Sequence, residues 1–180
     1  VYILKNVDTT PTLDATHALG LCDFPSIDFH HTGDGKTVAG GLPHLYVAYP
    51  NAANLYYNKL TYSGGSYTLG AYSVLDSVAT KEKVSLIYDG TRIVIGYSDG
   101  GNALCVERNE ADSATTVLSP PARNFALSPT RNVACTYDAN QDIHLWASGA
   151  NAANSLCQTK YDRSEGTWSP WVGVFGEVRE

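Results

Sequence analysis

His44, Arg92 and His144 each head a stretch of similar pattern, and each is followed two residues later, on the same side of an extended chain, by Tyr46, Val94 and Trp146. Glu107 is the acidic residue of the run after Arg92. Trp168 and Trp171 close the last stretch in Gly166-Thr167-Trp168-Ser169-Pro170-Trp171. Guanidinium groups donate hydrogen bonds, imidazoles donate or accept them, carboxylates accept them, and an indole adds a flat apolar face with one donor. Each residue also has a structural reading: Arg92 as a solvated surface charge, the two tryptophans as packing between sheets, and Tyr49 and Tyr97 as core.

Other chemistries find no pattern. His44 and His144 are too far apart in sequence to read as a metal pair, and His30-His31 would point to opposite faces of a strand. Asp138-Ala139-Asn140-Gln141-Asp142 resembles the start of a calcium loop, but the glycine and closing glutamate are missing, so it reads as a hairpin turn. Glycoside hydrolysis needs two carboxylates roughly 5 to 10 Å apart. Here Asp34, Asp89, Asp99, Asp138 and Asp162 fall in turns. No nucleophile elbow, phosphate-cradling loop or zinc signature occurs. The expectation is a chain with no catalysis, no metal and no cofactor.

The elements that must position these residues follow from a repeat. His44 to Asn54 aligns without a gap on Arg92 to Asn102, and His144-Leu145-Trp146 followed by Asn151-Ala152-Ala153-Asn154 forms a third copy. Val38, Val84 and Val133 open successive units of short alternating strands. The second unit reads Val84–Tyr88, Arg92–Tyr97, Ala103–Arg108 and Ala114–Leu118, with turns at Asp89-Gly90 and Asp99-Gly100-Gly101. The third reads Val133–Tyr137, Ile143–Ala147, Leu156–Tyr161 and Trp168–Val174. Asp-Gly between apolar runs signals a hairpin, because glycine accepts a positive φ. Repeats of about 40 to 50 residues made of such strands predict β-propeller-like, four-stranded antiparallel units. The whole is read as one all-β domain, 1–180, with a partial unit at 1–35 and units at 36–82, 83–130 and 131–178. A β-barrel or sandwich is the alternative. No segment has helical periodicity; the nearest, Val74 to Glu82, reads as an exposed connection. Three units and a half leave a sheet edge open, which predicts self-association, with a dimer as the simplest form.

Composition narrows the class. The net charge is −6 and the basic residues are scattered, which argues against nucleic acid. No run of 18 apolar residues offers a membrane-spanning helix. Sparse charge with many Gly, Ser, Thr, Ala, Asn and Tyr suits an extracellular or virion-surface protein. The absence of an initiator Met and of a signal peptide is what a mature or excised segment would show. Cys22, Cys105, Cys135 and Cys157 allow three pairings, or serve as small buried apolar residues.

On these residues the chain resembles the fungal fucose-binding propeller lectins, and more loosely the tectonin-like lectins. Those blades carry an Ile-Arg-Val-Tyr-Tyr type second strand, an acidic third strand and a Gly-x-Trp last strand. The resemblance implies extracellular binding of a glycan or glycosylated receptor between neighbouring units. Arg92 would match the family arginine, with His44 and His144 in its place elsewhere. Glu107 would match the acidic residue, with Asn58 and Gln158 or Thr159 in the other units. Trp168 or Trp171 would form the aromatic wall, and Trp146 would lie on the same face as His144. The alternative function is a viral spike or fibre head for receptor attachment.

Overall fold

The computed structural model describes residues 2–5, 12–16, 26–29, 44–51, 53–63, 66–77, 83–99, 101–121, 132–148 and 156–174. Every regular element among them is a strand. In chain order these are β1 (Tyr2–Lys5), β2 (Thr12–Thr16), β3 (Ser26–Phe29), β4 (Leu45–Asn51), β5 (Asn54–Ser63), β6 (Ser66–Leu69), β7 (Ser73–Asp76), β8 (Val84–Tyr88), β9 (Arg92–Ser98), β10 (Ala103–Asn109), β11 (Thr115–Leu118), β12 (Asn132–Tyr137), β13 (Ile143–Ser148), β14 (Leu156–Asp162), β15 (Thr167–Trp168) and β16 (Val172–Gly173).

They form a β1–β2 hairpin and three antiparallel meanders. The first sheet is ordered β3-β4-β5-β6, the second β8-β9-β10-β11 and the third β12-β13-β14-β15. In the first and third sheets the outermost strand is split: β7 also pairs with β5, and β16 with β14. The all-β, propeller-like reading therefore holds, with four-stranded antiparallel units in sequence order. The first sheet takes its opening strand from Ser26–Phe29, upstream of Val38, which lies outside the described residues. Val74 to Asp76 is strand rather than connection.

The sheets stack face on face. Tyr46 and Ala48 of β4 share one apolar cluster with Leu86, Ile93, Ile95 and Tyr97 of the second sheet. Val94 and Cys105 of the second sheet share another with Cys135, Ile143, Leu145 and Ala147 of the third. Successive side chains on a strand point to opposite faces. Ile93, Ile95 and Tyr97 thus face back to the first sheet while Val94 faces forward to the third. That is why β4 and β9 are apolar and buried on both sides. Tyr49 and Tyr97 both lie on the backward face of a second strand, at 4% and 1% exposure, as the repeat requires.

A serine clasp repeats at each junction. Ser26 Oγ accepts the Leu86 N–H at 2.9 Å, and Ser85 Oγ accepts the Cys135 N–H at 3.1 Å. Local turns close the hairpins as the sequence implies. Gly90 has φ +97°, and Asp89 Oδ1 accepts the N–H groups of Thr91 and Arg92. Asp138 Oδ1 does the same for Asn140 and Asp142, so the calcium-like run is a hairpin turn.

Candidate functional site

In the first and second sheets, the second and third strands place their forward-facing side chains beside the residue that follows the third strand of the next sheet. Tyr46 lies opposite Lys59 across β4 and β5, as Val94 lies opposite Glu107 across β9 and β10. Glu110 follows β10 and reaches back to the first sheet. Its carboxylate accepts from Lys59 Nζ at 2.6 Å, Tyr57 Oη at 2.9 Å and Tyr46 Oη at 3.3 Å. Burial raises the Glu110 pKa, but the hydrogen bonds from Lys59, Tyr57 and Tyr46 outweigh it and hold the carboxyl below the ordinary glutamate value. Burial, followed by the Glu110 charge, pushes the phenols of Tyr46 and Tyr57 far above their usual range. Both stay neutral and act as donors.

Around this cluster lies an open cleft of about 350 Å³ between the first and second sheets, lined by His44, Tyr46, Lys59, Tyr88, Thr91 and Glu110. Tyr88 stacks on Tyr46 with ring centroids 4.7 Å apart, and Lys59 Nζ sits 5.5 Å from the Tyr46 ring centre. The cleft combines a cation, a carboxylate, an imidazole and a hydroxyl over an aromatic floor. It can hold a small polyhydroxylated ligand by hydrogen bonds from opposed donors and acceptors.

At the next junction the equivalent position is taken by a network of ion pairs. Arg92 and Glu107 do come together, at 3.9 Å, but the group from the third sheet that joins them is Arg163, not a tryptophan. Arg163 Nη1 is 2.5 Å from Glu107 Oε2, and Nη2 is 3.5 Å from Asp89. Arg92 Nε is 3.0 Å from Asp89 Oδ2. These side chains neutralise one another within the fold.

Trp168 and Trp171 pack against the apolar cluster shared by the second and third sheets. Trp171 Nε1 donates to the Pro121 carbonyl at 2.8 Å. Trp168 tilts against Tyr161 and borders a smaller hollow of about 320 Å³ with Lys160, Asp162, Glu165, Thr167 and Ser169. His144 contacts Gln158, and its Nε2 is 3.4 Å from Asp138 Oδ2. Lys160 pairs with Asp142 at 2.7 Å. Trp146 is half-buried on the same face as His144.

The registers correct two sequence alignments. Tyr88 pairs with Ile93 and Tyr137 with Ile143, so the turn in the third sheet is one residue longer. His144 therefore takes the place of Val94, and Trp146 that of Gly96, two residues from their expected positions. Lys59, not Asn58, stands where Glu107 stands, and Lys160 does so in the third sheet, rather than Gln158 or Thr159. Sequence reasoning missed Lys59, Tyr88, Glu110 and Arg163. The available signal was a charged residue just past β10 and β14, the third strands of the second and third sheets.

Among the described residues no cluster of His, Cys, Asp and Glu could hold a metal ion. Cys105, Cys135 and Cys157 are buried thiols, and Cys22 and His30-His31 lie outside the described residues.

No protein-family model matches the chain, and no curated protein matches it. Among solved structures it is similar to a fucose lectin from Kordia zhangzhouensis in complex with methyl-fucoside, at 12% identity and a TM-score of 0.44, over 84% of this chain and 100% of that one. A likeness this distant assigns neither family nor ligand; in particular, no fungal or tectonin-like family is matched.

Proposed function

We propose that this chain is a non-catalytic carbohydrate-recognition domain whose sugar site is the cleft between the first and second sheets. The observation that carries the reading is the meeting of Lys59, Glu110, His44 and Thr91 over Tyr46 and Tyr88 in one open inter-sheet cleft. An ammonium and a carboxylate held in place by neighbours suit sugar hydroxyls, which both donate and accept. Such a site binds weakly alone; millimolar affinity corresponds to about 4 kcal/mol. Several sites on one particle raise avidity without new contacts. An extracellular or virion-surface setting and a dimeric state belong to the same reading. A viral attachment head would use the same cleft, and no observation favours it separately.

The test is a glycan array followed by titration calorimetry on wild type, Thr91→Trp and Glu110→Gln. Thr91 is exposed, so an indole there fills the cleft mouth and leaves the core alone. Wild type is expected to bind glycans, and both variants to lose at least tenfold in affinity. A wild type that binds nothing, or a Thr91→Trp variant that binds as well as wild type, would overturn the assignment.

A further inference from the structure

The three sheets present the same forward face, and two of them carry another sheet on it. Pairing registers place Ala48, Gly96 and Trp146 at one position of that face. The serine clasp agrees: Ser26 and Ser85, directly across from Ala48 and Gly96, each take an N–H from the following sheet, and Ala134 holds that place in the third. Ala48 is 0% exposed beneath the second sheet. A Cβ on Gly96 would stand 2.8 Å from Leu145 Cδ1, 3.1 Å from Val133 Cγ1 and 3.3 Å from Cys135 Cβ. Docking of the next sheet therefore demands a very small residue. The third sheet carries an indole there.

Among the described residues, none outside the third sheet packs on this third face, whose β13 residues are half-buried and whose β12 residues are exposed. Along β13 buried and half-buried residues alternate strictly, whereas β4 and β9 are buried on both sides. Asn132, Ala134 and Thr136 of β12 are exposed on the same face. One side wet and one side dry is the mark of a sheet with a single covered face.

We propose that this open face is a second saccharide-binding platform centred on Trp146; the proposal rests on the carbohydrate reading above. A sheet docking as the other two do would collide with the indole. A sugar ring lying flat on the indole would not, and its apolar C–H side would meet an apolar face. Gln158 is directly across from Trp146, and the His144–Lys160 pair is the next one along the same face. These supply amide, imidazole and ammonium groups to ligand hydroxyls at the platform's edge. They are held before any ligand arrives: His144 by Gln158 and Asp138, Lys160 by Asp142 and Asp138. Pre-set polar groups cost less ordering on binding. The platform differs from the inter-sheet cleft in being built from one sheet only.

Titration calorimetry with the best monosaccharide from the array, on wild type, Trp146→Ala, Ala134→Arg and Thr91→Trp, tests this. Ala134 is exposed beside Trp146, so Ala134→Arg covers the platform without entering the core. Wild type is expected to bind two sugars per chain. Trp146→Ala and Ala134→Arg should each keep only the cleft site, and Thr91→Trp only the platform. Thermal melts check that each variant folds. Unchanged stoichiometry in Trp146→Ala and Ala134→Arg would overturn the platform and leave the cleft standing. Loss of all binding in Thr91→Trp would do the same. Wild type binding no sugar would overturn both. A wild-type dimer dispersed by Ala134→Arg, with sugar stoichiometry unaltered, would show a second copy on this face and overturn the platform.

Discussion

Lys59 and Glu107 occupy the same register position in successive sheets and carry opposite charges. Each meets a residue of opposite charge just past the third strand of the next sheet: Glu110 at 2.6 Å from Lys59, and Arg163 at 2.5 Å from Glu107. The two inter-sheet junctions are thus bridged by the same kind of contact with its polarity reversed. In the third sheet the position is basic again, as Lys160, which turns to Asp142 of its own sheet.

Reversing one charge should therefore hurt more than reversing two. Lys59→Glu would set two carboxylates against each other beside buried phenols, while Lys59→Glu with Glu110→Lys restores attraction. The coupling is expected to be on the order of 1 kcal/mol, since Lys59 is only half-buried. Thermal melts of the two single variants and the double give it directly. Strictly additive losses would show that the pair does not interact.

The same carboxylate sets an acid limit. The folded pKa of Glu110 is depressed, so its contribution is fully present above the unfolded value and is lost as pH falls through the folded one. Stability should decline from about pH 4.5 downward. Glu110→Gln should start lower and show a shallower decline. Denaturant melts between pH 3 and 7 check this; parallel curves for the two proteins would refute it.

Gly96 should be the least replaceable glycine of the described sheets. Gly96→Ala pushes a methyl into Leu145, Val133 and Cys135 of the third sheet. Overpacking of this kind costs about 1–3 kcal/mol. The reverse exchange in the first sheet, Ala48→Gly, should cost only about 1 kcal/mol, from strand flexibility and one lost methyl. Equal losses at the two sites, read by chemical denaturation, would contradict the close approach seen at Gly96.

Tyr97 ties the second sheet back to the first through a 2.6 Å hydrogen bond from its hydroxyl to Asp76 Oδ2. Tyr49, its counterpart, donates instead to Asn58 in its own sheet at 2.9 Å. Tyr97→Phe should cost more than Tyr49→Phe, because a bond to a carboxylate is worth about 1.5–3 kcal/mol against about 1 for a neutral one. The order of the two midpoints decides it.

Arg92→Ala is expected to leave glycan affinity within twofold of wild type while lowering stability. Arg92 is engaged by Asp89 and Glu107. A tenfold loss of sugar binding in this variant would move the site to the second junction.

Much of the fold was legible in the sequence because alternation and turn residues agree. The strands of the second and third sheets start and stop within a few residues of their expected limits, and Asp89-Gly90 makes its turn. The first sheet was harder: Ser26–Phe29 is far from β4 along the chain, so no short turn announces the pairing. The third sheet hid a different error. A two-residue slip returns every side chain to the same face, so alternation cannot detect it. His144 and Trp146 were therefore assigned to the right face and the wrong row. The Arg92–Glu107 contact was readable, but Arg163 closing over it was not, since its partners come from another sheet. Glu110 stayed invisible for the same reason.

The buried thiols offer an unplanned clock. Cys105, Cys135 and Cys157 are exposed to 0%, 7% and 0%, and the first two sit on either side of the seam between the second and third sheets. Burial also pushes the Cys105 thiol up, away from its reactive anion. A thiol reagent can reach that pair only when the seam parts. The pace of labelling thus reports how often one leaf of the stack lifts from the next, long before the chain as a whole comes undone.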